Sequence, residues 1–292
     1  EIDVTRDEIP IETVFTDIYE RNGKKIGLIE ITSFSENTAY DFRQKLGDLE
    51  RADIDGLLVD VRGNPGGYLE SVQEIAQEII PDRKPFVQIE NRNGEKQRFV
   101  SSLQEKKPYP IVGLIDGGSA SASEILAGAL KEVGGYELVG EKTFGKGTVQ
   151  QTVDLGDGSN LKLTMFKWLT PDGNWIHEKG IEPTVKVTQP AYFYVSPLSV
   201  DREPLKYDMN NSQVKNAQIM LQGLGYAPGR TDGYFSKETK QSVKAFQEKH
   251  DLEKTGEIDR ATASRLQEEI VEEMSDPDND AQLQTAIELL AG

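Results

Sequence analysis

Two short, almost wholly apolar runs decide which folds are open to this chain. Ile54 to Val61 reads IDGLLVDV, and Ile111 to Asp116 reads IVGLID. Each has the length of a buried strand rather than a helix. The first empties into Arg62-Gly63-Asn64-Pro65-Gly66-Gly67 and then a helical stretch, Tyr68 to Ile80. The second empties into GGSASAS and then SEILAGALKEV, where Ile125, Leu126, Ala129 and Leu130 share one helical face. A further helix is expected from Asn37 to Leu49, with Ala39, Phe42, Leu46 and Leu49 at helical spacing. Strand, helix, strand, helix, strand is the rhythm of an α/β layered fold. Three hairpins flank it. Val14–Tyr19 and Ile26–Ile31 turn at Asn22-Gly23, Phe86 to Val100 turns near Asn93-Gly94, and the stretch after Gly147 turns at Asp157-Gly158.

Composition narrows the function. The 292 residues carry a formal charge of −17, which disfavours nucleic acid and anionic membrane as partners. Cysteine is absent, so disulfides contribute nothing. No run approaches the roughly 18 apolar residues of a membrane span. The chain starts at Glu1 without a methionine or a signal peptide, and it reads as a trimmed fragment.

Chemistry concentrates between Gly117 and Gln150. A serine hydroxyl is a poor nucleophile until a base takes its proton. The two histidines suit a triad badly, because His250 falls in another domain and His177 in a turn-rich loop read as surface. The elbow G-x-S-x-G is absent, since position 121 is serine. A lysine can serve as base where burial favours its neutral amine. Lys146 lies between Gly145 and Gly147 with no adjacent carboxylate, and Gln150 could orient an amine without fixing its charge. On a regular strand, residues four apart lie roughly 13 Å apart, so that partnership needs a bend, expected at Gly147. Ser121 opens a helix, where backbone N–H groups and the positive dipole end meet an oxyanion, with Ala122 N–H the natural donor. The same serines could simply cap that helix. GEKTFGKGT comes close to a phosphate loop, but Gly147 stands where a hydroxyl is needed and a hairpin follows.

S-A-S-A-S-E, K-T-F-G-K-G-T-V-Q-Q, D-x-R-x-N-x-G-G and LTPDGNWIHEKGIEP together resemble the carboxy-terminal (tail-specific) processing proteases. The match runs from about Val14 to Val187. The resemblance implies a ClpP/crotonase-like layered core and a serine endopeptidase without metal or cofactor. It implies Ser121 as nucleophile, Lys146 as base and Gln150 as its partner. The oxyanion hole would use Ala122 with Gly67 or, second, Gly66, beside Asp60 and Asn64. Arg62, Glu124 and Thr143 are expected to support these groups. Substrates would be proteins with apolar C-terminal tails, cut outside the cytoplasm of a Gram-positive, spore-forming bacterium, in signalling or sporulation. The family places an anchor or signal sequence and a PDZ domain ahead of this stretch, and neither is seen here.

Past residue 188 the pattern changes. Residues 189–208 read as a linker, 209–270 as a small all-α three-helix module, and 271–292 as an acidic tail with a short helix that could contact a second copy in a homodimer. The expected helices are Val214 to Leu224, Lys237 to Lys249 and Arg260 to Ile270. V-x-x-A-Q-x-x-L-x-x-L-G-Y, D-G-x-F, A-F-Q and T-G-x-I-D-x-x-T resemble the peptidoglycan-binding module. The residues themselves fit equally a helical scaffold for self-association. A non-catalytic cell-wall binding protein is therefore the rival to a protease, and an amidase lacks its metal ligands. EEIVEEMSDPDND misses calcium-loop spacing.

Overall fold

The computed structural model describes residues 11–81, 84–200 and 203–292. The linker strand expected over residues 1–12 lies almost wholly outside them. The described residues fall into two compact units, one running to Val187 and including Thr285–Gly292, the other Thr188–Gln284.

The first unit opens with the hairpin β1 (Val14–Arg21) and β2 (Lys24–Ile31). Asn22 and Gly23 both take positive φ, 55° and 76°, as a two-residue turn matched to strand twist requires. Then follow α1 (Thr38–Arg51), β3 (Gly56–Asp60), α2 (Leu69–Ile79), the hairpin β4 (Val87–Glu90) and β5 (Lys96–Phe99), and β6 (Ile111–Ile115). After these come α3 (Ala122–Ala129), β7 (Glu137–Gly140), the ribbon β8 (Thr148–Asp154) and β9 (Asn160–Leu169), and β10 (Val185–Lys186). Sequence patterning named no strand at β7, which is only four residues long.

One sheet has the order β1-β2-β3-β6-β7-β10, the other β5-β4-β9-β8. In the first, β2, β3, β6 and β7 are parallel neighbours, each one place further along. Right-handed crossovers that always advance the same way put every connecting helix on one face. Accordingly α1 packs on α2 and α2 on α3. The result is the α/β layered core with β-hairpins that the sequence led us to expect. All five residues of β3 and of β6 are buried. Side chains such as Leu57, Leu58 and Ile115 contribute about 1.5–3 kcal/mol each on full burial. The sheet is thereby a rigid floor. Four adjacent strands release their chain at the same edge, where open α/β sheets build sites.

The second unit holds α4 (Ser212–Gly223), α5 (Lys237–Lys249) and α6 (Arg260–Ser275). Side chains of Asn211, Ser236 and Asp259 accept from the backbone N–H three residues on, which fixes where each helix begins. Residues read as a linker are not free: Leu198 and Leu205 enter this unit's apolar core with Phe235 and Phe246. Their apolar spacing is too sparse to announce it.

Two buried glutamines staple the module. Gln218 takes Gly233 N–H (3.0 Å) and donates to Tyr234 O (2.8 Å) and Thr239 Oγ1 (3.0 Å). Gln247 does the same one helix later, with Gly256 N–H (2.9 Å), Glu257 O (2.9 Å) and Thr262 Oγ1 (3.1 Å). The recurring A-Q and A-F-Q thus mark a device used twice. The tail helix α7 (Ala281–Ala291) buries Ile287, Leu290 and Ala291 within the chain, and Lys24 Nζ donates to Leu290 O at 3.3 Å.

Gln218→Ala leaves buried backbone donors and acceptors unpaired, and it is expected to cost about 2–4 kcal/mol. Urea unfolding followed by circular dichroism checks this.

Candidate active site

The loops leaving β2, β3, β6 and β7 interlock through backbone and short polar side chains. Asn64, fully buried, ties three of them. Its Nδ2 donates to Ile31 O (2.7 Å), while its carbonyl accepts Ala120 N–H (3.0 Å) and the Ser123 hydroxyl (2.9 Å). Asp116 anchors the serine loop by accepting the N–H groups of Gly63 (2.8 Å), Gly118 (2.9 Å) and Ser119 (3.0 Å). Sequence reading missed Asp116, although an aspartate before two glycines is a turn-forming signal.

Ser121 sits at the N-cap of α3 with φ 57° and ψ −111°. That backbone region is sparsely used by any residue but glycine and costs on the order of 1–3 kcal/mol. Such strain persists only where neighbours over-determine it, and here Glu124 does so. The Glu124 carboxylate, with no exposed surface, accepts Ser121 N–H at 2.9 Å. It also accepts Thr143 Oγ1–H (2.6 Å), Gly145 N–H (2.7 Å) and Lys146 N–H (2.8 Å). Thr143 in turn accepts Ile181 N–H at 2.7 Å. One buried anion therefore holds the serine turn and the lysine segment in fixed register. The lysine segment is gripped from the other side as well, by Trp168 Nε1–H on Lys146 O at 2.9 Å.

Ser121, Ala122, Gly67, Lys146 and Gln150 line one cleft of about 290 Å³. The N–H groups of Ala122 and Gly67 are in no hydrogen bond among the described residues. Gly66 differs: its N–H is spent on Asn64 Oδ1 at 2.8 Å. Both glycines are needed by space. A Cβ on Gly66 (φ 100°) would stand 2.8 Å from Ser121 Cβ, and one on Gly67 (φ 154°) 2.0 Å from Phe34 O. Phe34 holds this loop by donating to Gly66 O (3.1 Å) and accepting from Tyr68 N (2.8 Å).

Lys146 makes no ion pair with any described residue, and no hydrogen bond joins its amine to the Ser121 hydroxyl. Unliganded active sites often hold such pairs apart until substrate binds. Gln150 departs from expectation. It is exposed and donates to Thr164 Oγ1 at 3.5 Å, not to Lys146. The bend falls elsewhere too, at Val149/Gln150, where Val149 faces Phe166 and Gln150 faces Thr164 so that Met165 bulges. Gly147 precedes the strand and serves close approach instead: a Cβ there would stand 2.7 Å from His177 N. His177, read as surface, is half-buried and stacks on Trp175.

Arg62 binds Asp60 through Nε (3.0 Å) and Nη2 (2.6 Å). Glu30 lies beside Asp60 on the neighbouring strand. Its pKa is raised by burial first and then by the Asp60 charge, with Arg62 pulling it back. Among the described residues no cluster of three or more histidine or carboxylate groups is placed to hold a metal ion.

Comparison with known proteins decides the lineage. The profile of peptidase family S41 matches residues 25–187. The chain belongs to that family. A second profile, a peptidoglycan binding domain, matches residues 210–266. The carboxy-terminal processing protease CtpB of Bacillus subtilis is 56% identical over 98% of this chain and 60% of that protein. CtpA of the same organism, also a carboxy-terminal processing protease, is 40% identical over 99% of this chain and 61% of its own length. The chain thus spans about three fifths of these relatives. A solved photosystem II D1 C-terminal processing protease is 31% identical with a TM-score of 0.56, over 63% of this chain and 50% of that one.

Glu124→Gln keeps the shape but turns an acceptor into a donor facing N–H groups. It is expected to destabilise the fold by about 2–4 kcal/mol. Thermal unfolding by calorimetry checks this, with Glu124→Asp expected to lose less.

Proposed function

We propose that this chain is a serine endopeptidase that cuts proteins near apolar C-terminal tails through a Ser121/Lys146 dyad. The observation that carries it is the strained Ser121 beside two unpartnered N–H groups, tied through one buried carboxylate to the Lys146 segment. The names of the two Bacillus relatives support the same class of reaction. Ser121 Oγ attacks the scissile carbonyl as its proton passes to the Lys146 amine. The oxyanion is received by Ala122 and Gly67 N–H, while Gly66 supplies the close fit behind Ser121. Lys146 then protonates the leaving amine, and water, activated by the same amine, releases the acyl group. Gln150 orients the lysine after exchanging Thr164 for it. Arg62 and Thr143 hold the loops.

The match at residues 210–266 favours a peptidoglycan surface as the place of work, hence an extracytoplasmic setting. No helix among the described residues is long and apolar enough to cross a membrane. The chain divides into a protease core to about residue 188, which Thr285–Gly292 joins, and a helical wall-binding module. Dimerisation and a part in sporulation signalling belong to this same reading.

Casein hydrolysis by the wild type, Ser121→Ala and Lys146→Ala tests it. Both variants are expected to lose activity by about 10³-fold or more with circular dichroism unchanged. A Lys146→Ala variant that keeps most of the rate would remove the dyad.

A further inference from the structure

We infer that Trp175 is a positioning residue for the reacting amine, acting through the Gly147 carbonyl; this rests on the reading of Lys146 as the base. The inference starts from an indole that packing alone does not explain. Trp175 is 43% exposed, yet its Nε1–H is directed inward, onto Gly147 O at 2.8 Å. The ring is held for that purpose. It stacks on His177 with centroids 5.3 Å apart, and Lys167 Nζ lies 5.4 Å from the ring centre. Lys167 is itself fixed on Glu90 at 2.6 Å.

The carbonyl it grips is the next one after Lys146. Neither the N–H nor the C=O of Lys146 belongs to a sheet ladder, because β8 begins at Thr148. Its N–H goes to Glu124 (2.8 Å) and its C=O to Trp168 Nε1 (2.9 Å). Gly147 O takes Trp168 N–H (3.2 Å) and Trp175 Nε1–H. The chain's two tryptophans therefore clamp the two successive carbonyls that flank the Gly147 Cα. Lys146 itself lies between two glycines, where the backbone is otherwise least constrained. A small rotation at Gly147 would swing the Lys146 Cα–Cβ vector, and a four-carbon side chain magnifies it at the amine. Misplacement of a reacting group by about 1 Å costs catalysis far more than stability. Trp168 is buried and also belongs to the core, so its indole N–H cannot be tested apart from packing. Trp175 can.

Trp175→Phe keeps an aromatic face for His177 and Lys167 but lacks the N–H. In the full chain it is expected to lower kcat about 3- to 10-fold, the worth of one neutral hydrogen bond, with KM within about twofold of wild type and a displaced pH–rate profile. Hydrogen exchange of residues 144–150, followed by mass spectrometry, is expected to accelerate. Replacing Trp175 by β-(3-benzothienyl)alanine, with sulfur in place of the N–H, repeats the test with the indole's shape kept and is expected to give the same losses. Unchanged exchange overturns the inference. So does faster exchange with kcat and pH profile as in wild type, which would make the contact structural only. Failure of the underlying reading shows itself separately, as a Lys146→Ala variant that keeps most of the wild-type rate.

Discussion

The Glu124 carboxylate is the point on which the site depends. Four donors from two separate loops converge on it, at 2.6–2.9 Å, in a place with no solvent. Charge-assisted hydrogen bonds are roughly twice as strong as neutral ones. Their sum offsets both the burial of the anion and the strain at Ser121. The carboxylate also couples two things that chemistry needs together: a serine held in an unfavourable turn, and a lysine segment without sheet partners. Were the lysine segment carried on a regular strand, its ladder bonds would set its position. Here side chains set it instead, from Glu124 on one side and tryptophan on the other.

Much of the layout was legible in the residues. The runs at Ile54 and Ile111 read as buried strands because they are short and almost wholly apolar, and Asn22-Gly23 announced its turn. The three helices of the second unit were legible from their apolar stripes, though the caps Asn211, Ser236 and Asp259 came only with the structure. Ser121, Ala122, Gly67 and Lys146, named from the resemblance, do line one cleft. What patterning did not reach depends on contacts far apart in the chain. The positive φ of Ser121 cannot be inferred from a serine, since it exists only because Glu124 and Asn64 hold both flanks. The Met165 bulge is a register property of two strands, so the bend expected at Gly147 falls at Val149/Gln150 instead, and the Gln150 amide donates to Thr164. Strand β7 is too short to carry periodicity. Residues 189–208 looked like linker because Leu198 and Leu205 are isolated in sequence, though not in space.

The helical unit follows a different logic. Its apolar core is modest, and buried glutamines secure its turns, each accepting one backbone N–H and donating to a carbonyl and a threonine hydroxyl. Such networks specify one conformation when every member is satisfied. The same turns carry the residues by which the module resembles a peptidoglycan binder. In the first unit, by contrast, β3 and β6 are buried along their whole length.

As the proposed nucleophile, Ser121 would owe its reactivity to the cradle built around Glu124. Labelling with a fluorophosphonate, followed by peptide mapping in the mass spectrometer, tests this most directly. One adduct is expected, on Ser121, forming in the wild type and failing to form in Glu124→Gln and Lys146→Ala. An adduct on another serine, or equal labelling of Ser121 in all three proteins, would contradict it.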